Sequence, residues 1–312
     1  MTVQKTAAVF GATGLIGQKI VRRLLDSGWI VRVFAREPDK SRALLTEVEE
    51  HYSWDYEKDD WKTHLAGTDA VINFSGAPIF KKWKGDYKRR LVDSRVKATR
   101  KISQAICDAD RPPSVFINGS AAGIYGYDSF DDKDVNEDDQ PGTDFWGELV
   151  TAWEKAANEA EKCGTRVVNI RTSVVLSMDS GALPQLVSVF NKGIGGPIRP
   201  GDQWFPWIHI EDEVGLIMFA LNKEEISGPI NACAPEVPNM KEFARTLGHA
   251  LGKPSRIPIP ITILRLMMGE VSNVLANGKK VVPARALELG YEFHHPKLEE
   301  ALTSLVQKPG DK

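Results

Sequence analysis

The 312-residue chain has only three cysteines, Cys107, Cys163 and Cys233, widely spaced and without a CxxC pair. An odd, unclustered count argues against a disulfide framework and a thiolate metal site, and predicts a reducing compartment. Long hydrophobic runs are missing too. None approaches the ~20 apolar residues that span a bilayer. Neither sign of charge is in excess: 40 Lys+Arg stand against 42 Asp+Glu, for a net charge of −2. That balance excludes a polycationic nucleic-acid binder. The six histidines offer no HxxxH or HxH spacing, and the neighbours His294 and His295 point different ways in any regular element, so no metal site is expected. No GxSxG motif is present, which disfavours a serine hydrolase. Residues 1–5 lead straight into an apolar segment, leaving no room for a secretory leader. The remaining 42% hydrophobic and 26% charged composition is that of an ordinary globular chain, neither disordered nor collagen-like. A cytoplasmic protein of enzyme size is expected.

What is present is concentrated near the start. Residues 6–10, Thr-Ala-Ala-Val-Phe, form a short apolar run ending at Gly11. Leu15, Ile16, Ile20, Leu24 and Leu25 then recur at helical spacing until Gly28, and residues 30–35 form a second strand-like run. Strand, helix, strand within about 30 residues is a βαβ unit and implies a parallel sheet. Further strands are predicted at 70–74, 115–118, 166–170 and 230–233, with helices over 86–108 and 146–162. Beyond Arg171 the chain becomes rich in Gly and Pro at 193–206 and 254–260. These stretches read as excursions that build a second lobe. Residues 128–144 hold eight acids and one Lys, and residues 81–101 hold ten basic residues and two acids. Both read as solvated faces.

Gly11, Gly14 and Gly17 lie between the first strand and the first helix. Gly11 permits the tight turn, Gly14 lets backbone approach a pyrophosphate, and Gly17 permits close helix–strand packing. The helix N-terminus then presents free N–H groups and partial positive charge to the anion. Arg36 stands nineteen residues after Gly17, where an NAD-selective site carries Asp or Glu for the ribose hydroxyl. A guanidinium suits a 2′-phosphate instead. Glu37 follows, so an acidic alternative stays open, but NADP(H) is the cofactor expected over NAD.

Gly11-Ala12-Thr13-Gly14-Leu15-Ile16-Gly17, Asn73-Phe74-Ser75-Gly76, Ser120-Ala121-Ala122-Gly123-Ile124-Tyr125-Gly126 and Trp207-Ile208-His209-Ile210-Glu211-Asp212 occur in an order that resembles the extended short-chain dehydrogenases/reductases. Ser94-Arg95-Val96-Lys97-Ala98-Thr99, Trp153-Glu154-Lys155, Gly195-Gly196-Pro197 and Gln203-Trp204-Phe205-Pro206-Trp207 look like the atypical epimerase-family proteins of that superfamily. The tail at 254–306 is similar to their small C-terminal domain of unknown function. The resemblance implies an α/β fold: a Rossmann-like doubly wound parallel sheet with a smaller C-terminal substrate lobe. The expected division is 1–174 with 208–235 for the NADP-binding part, and 175–207 with 236–312 for the lobe. By position, Gly11, Thr13, Gly14, Leu15, Ile16 and Gly17 would line the pyrophosphate and Arg36 the 2′-phosphate. Asp55 would meet the adenine, and Asn73, Phe74, Ser75 and Gly76 would run along the adenosine and ribose. Ser120 falls where the family's catalytic Ser/Thr sits, with Gly123 inserted before Ile124-Tyr125-Gly126. Relatives also imply a homodimer through the helices at 86–108 and 146–162.

The superfamily's usual chemistry needs a Tyr and a Lys four residues apart, the Lys lowering the phenol's pKa while the phenol exchanges a proton. Four residues after the six tyrosines stand Tyr56, Asp60, Leu91, Ser129, Asp131 and His295, and none is Lys. On the corresponding helix the two places hold Trp146 and Val150. Two readings stay open. Hydride chemistry persists with other groups, Ser120 with Tyr125 or a carboxylate such as Glu148; or the chain binds NADP(H) as a sensor or regulatory partner. Nucleic-acid binding through 81–101 is a weaker third. In the lobe, Phe205-Pro206 replace the Arg that clamps a sugar nucleotide's diphosphate in epimerases. Arg171, Trp204, Trp207 and His209 are the candidate substrate contacts, the aromatics forming either an apolar pocket wall or a packed interface.

Overall fold

The computed structural model describes residues 4–80, 83–127, 132–262, 266 and 272–307. Part of the tail at 254–306, the start of the basic segment and the first residues of the acidic loop lie outside them.

The apolar runs become strands of one seven-stranded parallel sheet. β1 (Thr6–Phe10), α1 (Leu15–Asp26), β2 (Ile30–Ala35), α2 (Pro38–Leu44) and β3 (Glu50–Ser53) form its first half. β4 (Ala70–Asn73) crosses to the other side of β1, and α3 (Tyr87–Val92) and α4 (Ala98–Cys107) lead to β5 (Val115–Ala121). After the short β6 (Asp134–Val135) come α5 (Phe145–Asn158), β7 (Arg166–Thr172) and β8 (Val174–Leu176). α6 (Ala182–Asn191), β9 (Trp207–His209), α7 (Ile210–Asn222), β10 (Gly228–Ala232) and α8 (Met240–Ala250) complete the numbered elements. The sheet order is β10-β7-β5-β4-β1-β2-β3, so direction of winding reverses between β1 and β4. All its pairings are parallel. This is the Rossmann-like architecture, and the reversal opens a crevice at the carboxyl ends of β1 and β4.

Both sheet faces are covered, which is why the strands read as continuous apolar runs rather than alternating ones. Val9, Ile72, Ile117 and Ile170 pack under α1 and α7 with Ile20, Leu24, Leu216 and Ile217. Phe10, Phe34, Val71 and Phe116 pack on the opposite face with Ile102 and Ile106 of α4. The helix expected over 86–108 is α3 and α4 joined by a π-helical turn at Asp93–Lys97.

A further apolar cluster joins Leu183, Val187 and Phe190 of α6, Phe205 and Trp207, Phe243 and Leu247 of α8, and Leu298 and Leu302 of the helix Leu298–Val306. This cluster is drawn from stretches well separated in sequence.

One expectation is corrected. Cys107 and Cys163 form a disulfide, with Cα atoms 5.3 Å apart and a sequence separation of 56. The end of α4 and the 3₁₀ turn Glu159–Cys163 after α5 pack side by side, so distance along the chain conceals proximity in space. Cys233 stays a free, buried thiol.

Candidate functional site

The glycine loop closes the crevice between β1 and β4. Gly11 has φ +79°, and a Cβ there would stand 2.5 Å from the carbonyl carbon of Phe74 in the loop after β4. At Gly17 a Cβ would overlap the Gly11 carbonyl oxygen. Side chains at either place would fill the cradle. Gly14 caps α1 without any side-chain acceptor, and its first turn carries no acid, so the helix start keeps its positive end available for an anion. Thr13 and Gly14 are exposed at the loop tip, with Leu15 and Ile16 half-buried behind them.

Arg36 lies exposed just past β2. The competing Glu37 is occupied, its carboxylate 2.6 Å from the Lys40 ammonium and held below the usual carboxylate range by it. Arg36 itself has no ion pair among the described residues. Asp55, after β3, accepts the Glu57 N–H at 3.0 Å. Asn73 is wholly buried and serves the loop rather than facing it. Its amide donates to Thr99 Oγ1 and Asn118 Oδ1, while its Oδ1 accepts from the Ser75 N–H and hydroxyl. Ser75, Phe74 and the exposed Gly76 thereby hold a fixed course at the crevice edge.

Sequence reasoning passed over Arg95. The π-helical turn points it inward, where it is 8% exposed. Its guanidinium lies 5.3 Å from the Trp153 ring centre and donates to the Ala77 carbonyl at 3.1 Å. Burial lowers its pKa to about 10.

Ser120 and Tyr125 meet in one buried network centred on Arg171. Ser120 and Arg171 are register partners on β5 and β7. The Ser120 hydroxyl donates to Glu154 Oε1 at 2.6 Å. Arg171 grips the same carboxylate through Nε at 2.9 Å and Nη2 at 3.0 Å. Its Nη1 donates to the Tyr125 hydroxyl at 2.9 Å, and that hydroxyl donates to Asn231 Oδ1 at 2.7 Å. Burial raises the Tyr125 pKa well above its ordinary value, so the phenol holds its proton at neutral pH. Glu137 closes the network, accepting the Asn231 N–H at 2.8 Å. Trp146 and Val150, where the superfamily carries Tyr and Lys, are buried apolar residues of α5.

Of the lobe candidates, Trp207 is 0% exposed and donates its indole N–H to the Glu236 carbonyl, and Phe205 packs on Phe243 with ring centres 4.2 Å apart. Both belong to the packed interior. Trp204 is half-buried with the Lys280 ammonium 5.0 Å from its ring centre. His209 is buried at the N-cap of α7, its Nδ1 accepting the Glu211 N–H at 3.1 Å. Its ring lies 3.7 Å, centre to centre, from that of His295, whose Nε2 is 3.1 Å from Glu211 Oε2. The buried Asp212 carboxylate fixes this meeting by accepting the His294 and His295 N–H groups at 2.7 and 2.8 Å and the Tyr291 hydroxyl at 3.2 Å. A cavity of about 400 Å³ opens beside them, along the flank of α1. None of residues 11–17 lines it.

Among the described residues no helix is long and apolar enough to cross a membrane. Residues 7–233 match the model of the NAD dependent epimerase/dehydratase family, and residues 259–305 match a domain of unknown function, DUF1731. The chloroplastic epimerase family protein SDR39U1 homolog of Arabidopsis thaliana is 36% identical over 306 residues, covering 97% of this chain and 87% of that protein. The epimerase family protein SDR39U1 of Mus musculus is 35% identical, covering 96% and 98%. The crystal structure of the human epimerase family protein SDR39U1 with NADPH superposes with a TM-score of 0.85 at 31% identity, covering 96% of this chain and 98% of that one. With this glycine loop at the sheet's reversal and these matches along nearly its whole length, the chain belongs to the NAD dependent epimerase/dehydratase family.

Proposed function

We propose that this protein holds NADP(H) across the crevice between β1 and β4, and acts as an oxidoreductase or epimerase-like enzyme on a small carbonyl or sugar-like substrate. The observation that carries the reading is the cradle formed by Gly11 against Phe74 and by Gly17 against Gly11, with Arg36, which has no ion pair among the described residues, exposed just past β2. The NADPH in the human relative's crystal structure supports the same choice. The start of α1 would receive the pyrophosphate, Arg36 the 2′-phosphate, and the Asp55 and Asn73–Gly76 loops the adenosine side. Bound there, the cofactor gives or takes a hydride.

Ser120 and Tyr125 are the proposed catalytic pair, with Arg171, Trp204 and His209 as the proposed substrate side; Trp207, wholly buried, belongs to the core instead. Burial keeps Tyr125 a neutral phenol, which suits it to hydrogen-bonding a carbonyl oxygen rather than to acting as a base. One observation favours a second reading, a non-catalytic NADP(H) sensor. The hydroxyls of Ser120 and Tyr125 are both spent on internal partners.

Titration with NADPH and NADH tests the cofactor. The wild type should prefer NADPH, and Arg36→Ala should narrow the gap; equal wild-type affinities would remove the 2′-phosphate argument. Single-turnover assays over a panel of small carbonyl compounds separate the two readings. NADPH consumption lost in Tyr125→Phe or Ser120→Ala supports the enzyme, and binding without consumption supports the sensor. We also place the protein in the cytoplasm as a homodimer, without nucleic-acid or membrane partners. The Cys107–Cys163 disulfide weighs against a strongly reducing compartment. Cell fractionation and sedimentation velocity test location and assembly.

A further inference from the structure

We propose that His209, Glu211 and His295 form a binding site for a divalent transition metal, zinc in the first instance, at the seam between the sheet and the C-terminal segment. One nitrogen from each imidazole and one carboxylate oxygen lie within 4.8 Å of one another. Two nitrogens and one oxygen are a donor set that zinc takes readily. Zinc–ligand bonds of about 2.0–2.1 Å place tetrahedral donors roughly 3.4 Å apart; the Glu211–His295 pair, at 3.1 Å, already stands that close, and the widest pair must close by up to about 1.4 Å. Glu211, 64% exposed in its side chain, is free to move that far.

The surroundings are built to hold this meeting. His209 and Glu211 belong to the first turn of α7, whereas His295 arrives 84 residues after Glu211 in sequence. Asp212, beneath them, accepts the N–H of His295 itself and of its neighbour His294. These bonds fix the backbone that carries His295 against the start of α7. The His209 Nδ1 now accepts the Glu211 N–H. Metal entry at either ring nitrogen ends that bond, because a coordinated imidazole carries its one proton on the other nitrogen. A helix-cap bond is thus exchanged for a coordinate bond.

Three protein ligands leave one position open, and all three residues line the cavity beside α1. Lys19 on that wall is paired with Asp179 at 2.8 Å and Arg22 with Glu47 at 3.4 Å, while Arg23 has no ion pair among the described residues. A water, hydroxide or small anion fits the fourth place. The bound metal would tie the start of α7 to the C-terminal segment.

Equilibrium dialysis of chelator-stripped, full-length protein against zinc sulfate, with the metal counted by mass spectrometry, tests the site. One zinc per chain is expected, with affinity falling at least about tenfold in Glu211→Gln and in His295→Ala. Glu211→Gln is a surface change and His295 is half-buried, and circular dichroism shows whether both variants are folded. His249→Ala, at the separate exposed His249–Glu299 pair, should bind like wild type. Binding unchanged in Glu211→Gln and His295→Ala, or no zinc retained by the wild type at micromolar free metal, would overturn the proposal. Neither outcome depends on the cofactor reading.

Discussion

Arg171 and Glu154 form a bidentate ion pair inside the protein, their side chains 8% and 11% exposed. The same carboxylate takes the Ser120 hydroxyl, and the same guanidinium reaches Tyr125. Removing one member leaves the other charge buried without compensation, which costs about 3–5 kcal/mol. Glu154→Gln should therefore lower the unfolding free energy by several kcal/mol in urea titrations. Arg171→Met with Glu154→Leu should cost less than the two single changes added together. A loss below about 1 kcal/mol in Glu154→Gln would mean that the pair is solvated in solution.

Gly17→Ala places a methyl group against the Gly11 carbonyl and forces the loop away from α1. NADPH affinity should fall at least tenfold, about 1.4 kcal/mol, while the fold survives. Calorimetric titration of the folded variant checks this, and unchanged affinity would place the cofactor elsewhere.

Glu213 carries the clearest pH signature. Its side chain is fully buried; among the described residues Oε1 accepts only the Thr172 hydroxyl and Oε2 has no partner. Burial raises its pKa to about 8 from 4.5. The folded protein thus holds a proton that the unfolded chain releases above about pH 4.5. Its contribution is fully present below that value and is lost as pH rises through about 8, by up to about 1.4 kcal/mol per pH unit. Unfolding titrations of chelator-treated protein between pH 5 and 8 should show this decline, and Glu213→Gln should flatten it. A parallel slope in both proteins would refute the assignment.

The Cys107–Cys163 bridge closes a loop of 56 residues. Loop-closure entropy gives about 4 kcal/mol for that length, less whatever structure the reduced unfolded chain retains. Cys107→Ser with Cys163→Ser should lower the urea midpoint without altering the far-ultraviolet circular dichroism. No change in midpoint would show that the thiols are unpaired under the assay conditions.

The sequence made the cofactor end of the molecule legible because its signals are local. Glycine spacing, helical periodicity and the position of Arg36 are all set within a span of about 30 residues, the size of a βαβ unit. What escaped depends on segments distant in sequence. The pairing of Cys107 with Cys163, the grip of Arg171 on Glu154 and the meeting of His209 with His295 carry no spacing rule. Arg95 was hidden differently: the apolar period of 86–108 reads as an unbroken helix, and only the π-helical turn sends its guanidinium inward. Phe205 and Trp207 are hydrophobic whether they line a ligand or a core, so composition could not choose between those places.

The Asp212 carboxylate, seated at the start of α7, finds its partners at Tyr291, His294 and His295, 79 to 83 residues later. During synthesis, α7 therefore leaves the ribosome long before the groups that satisfy this buried charge exist. Until the last segment emerges, Asp212 has only water to solvate it, and the apolar seam around it stays open. A chain ending before residue 291 would leave the Asp212 carboxylate without these three partners.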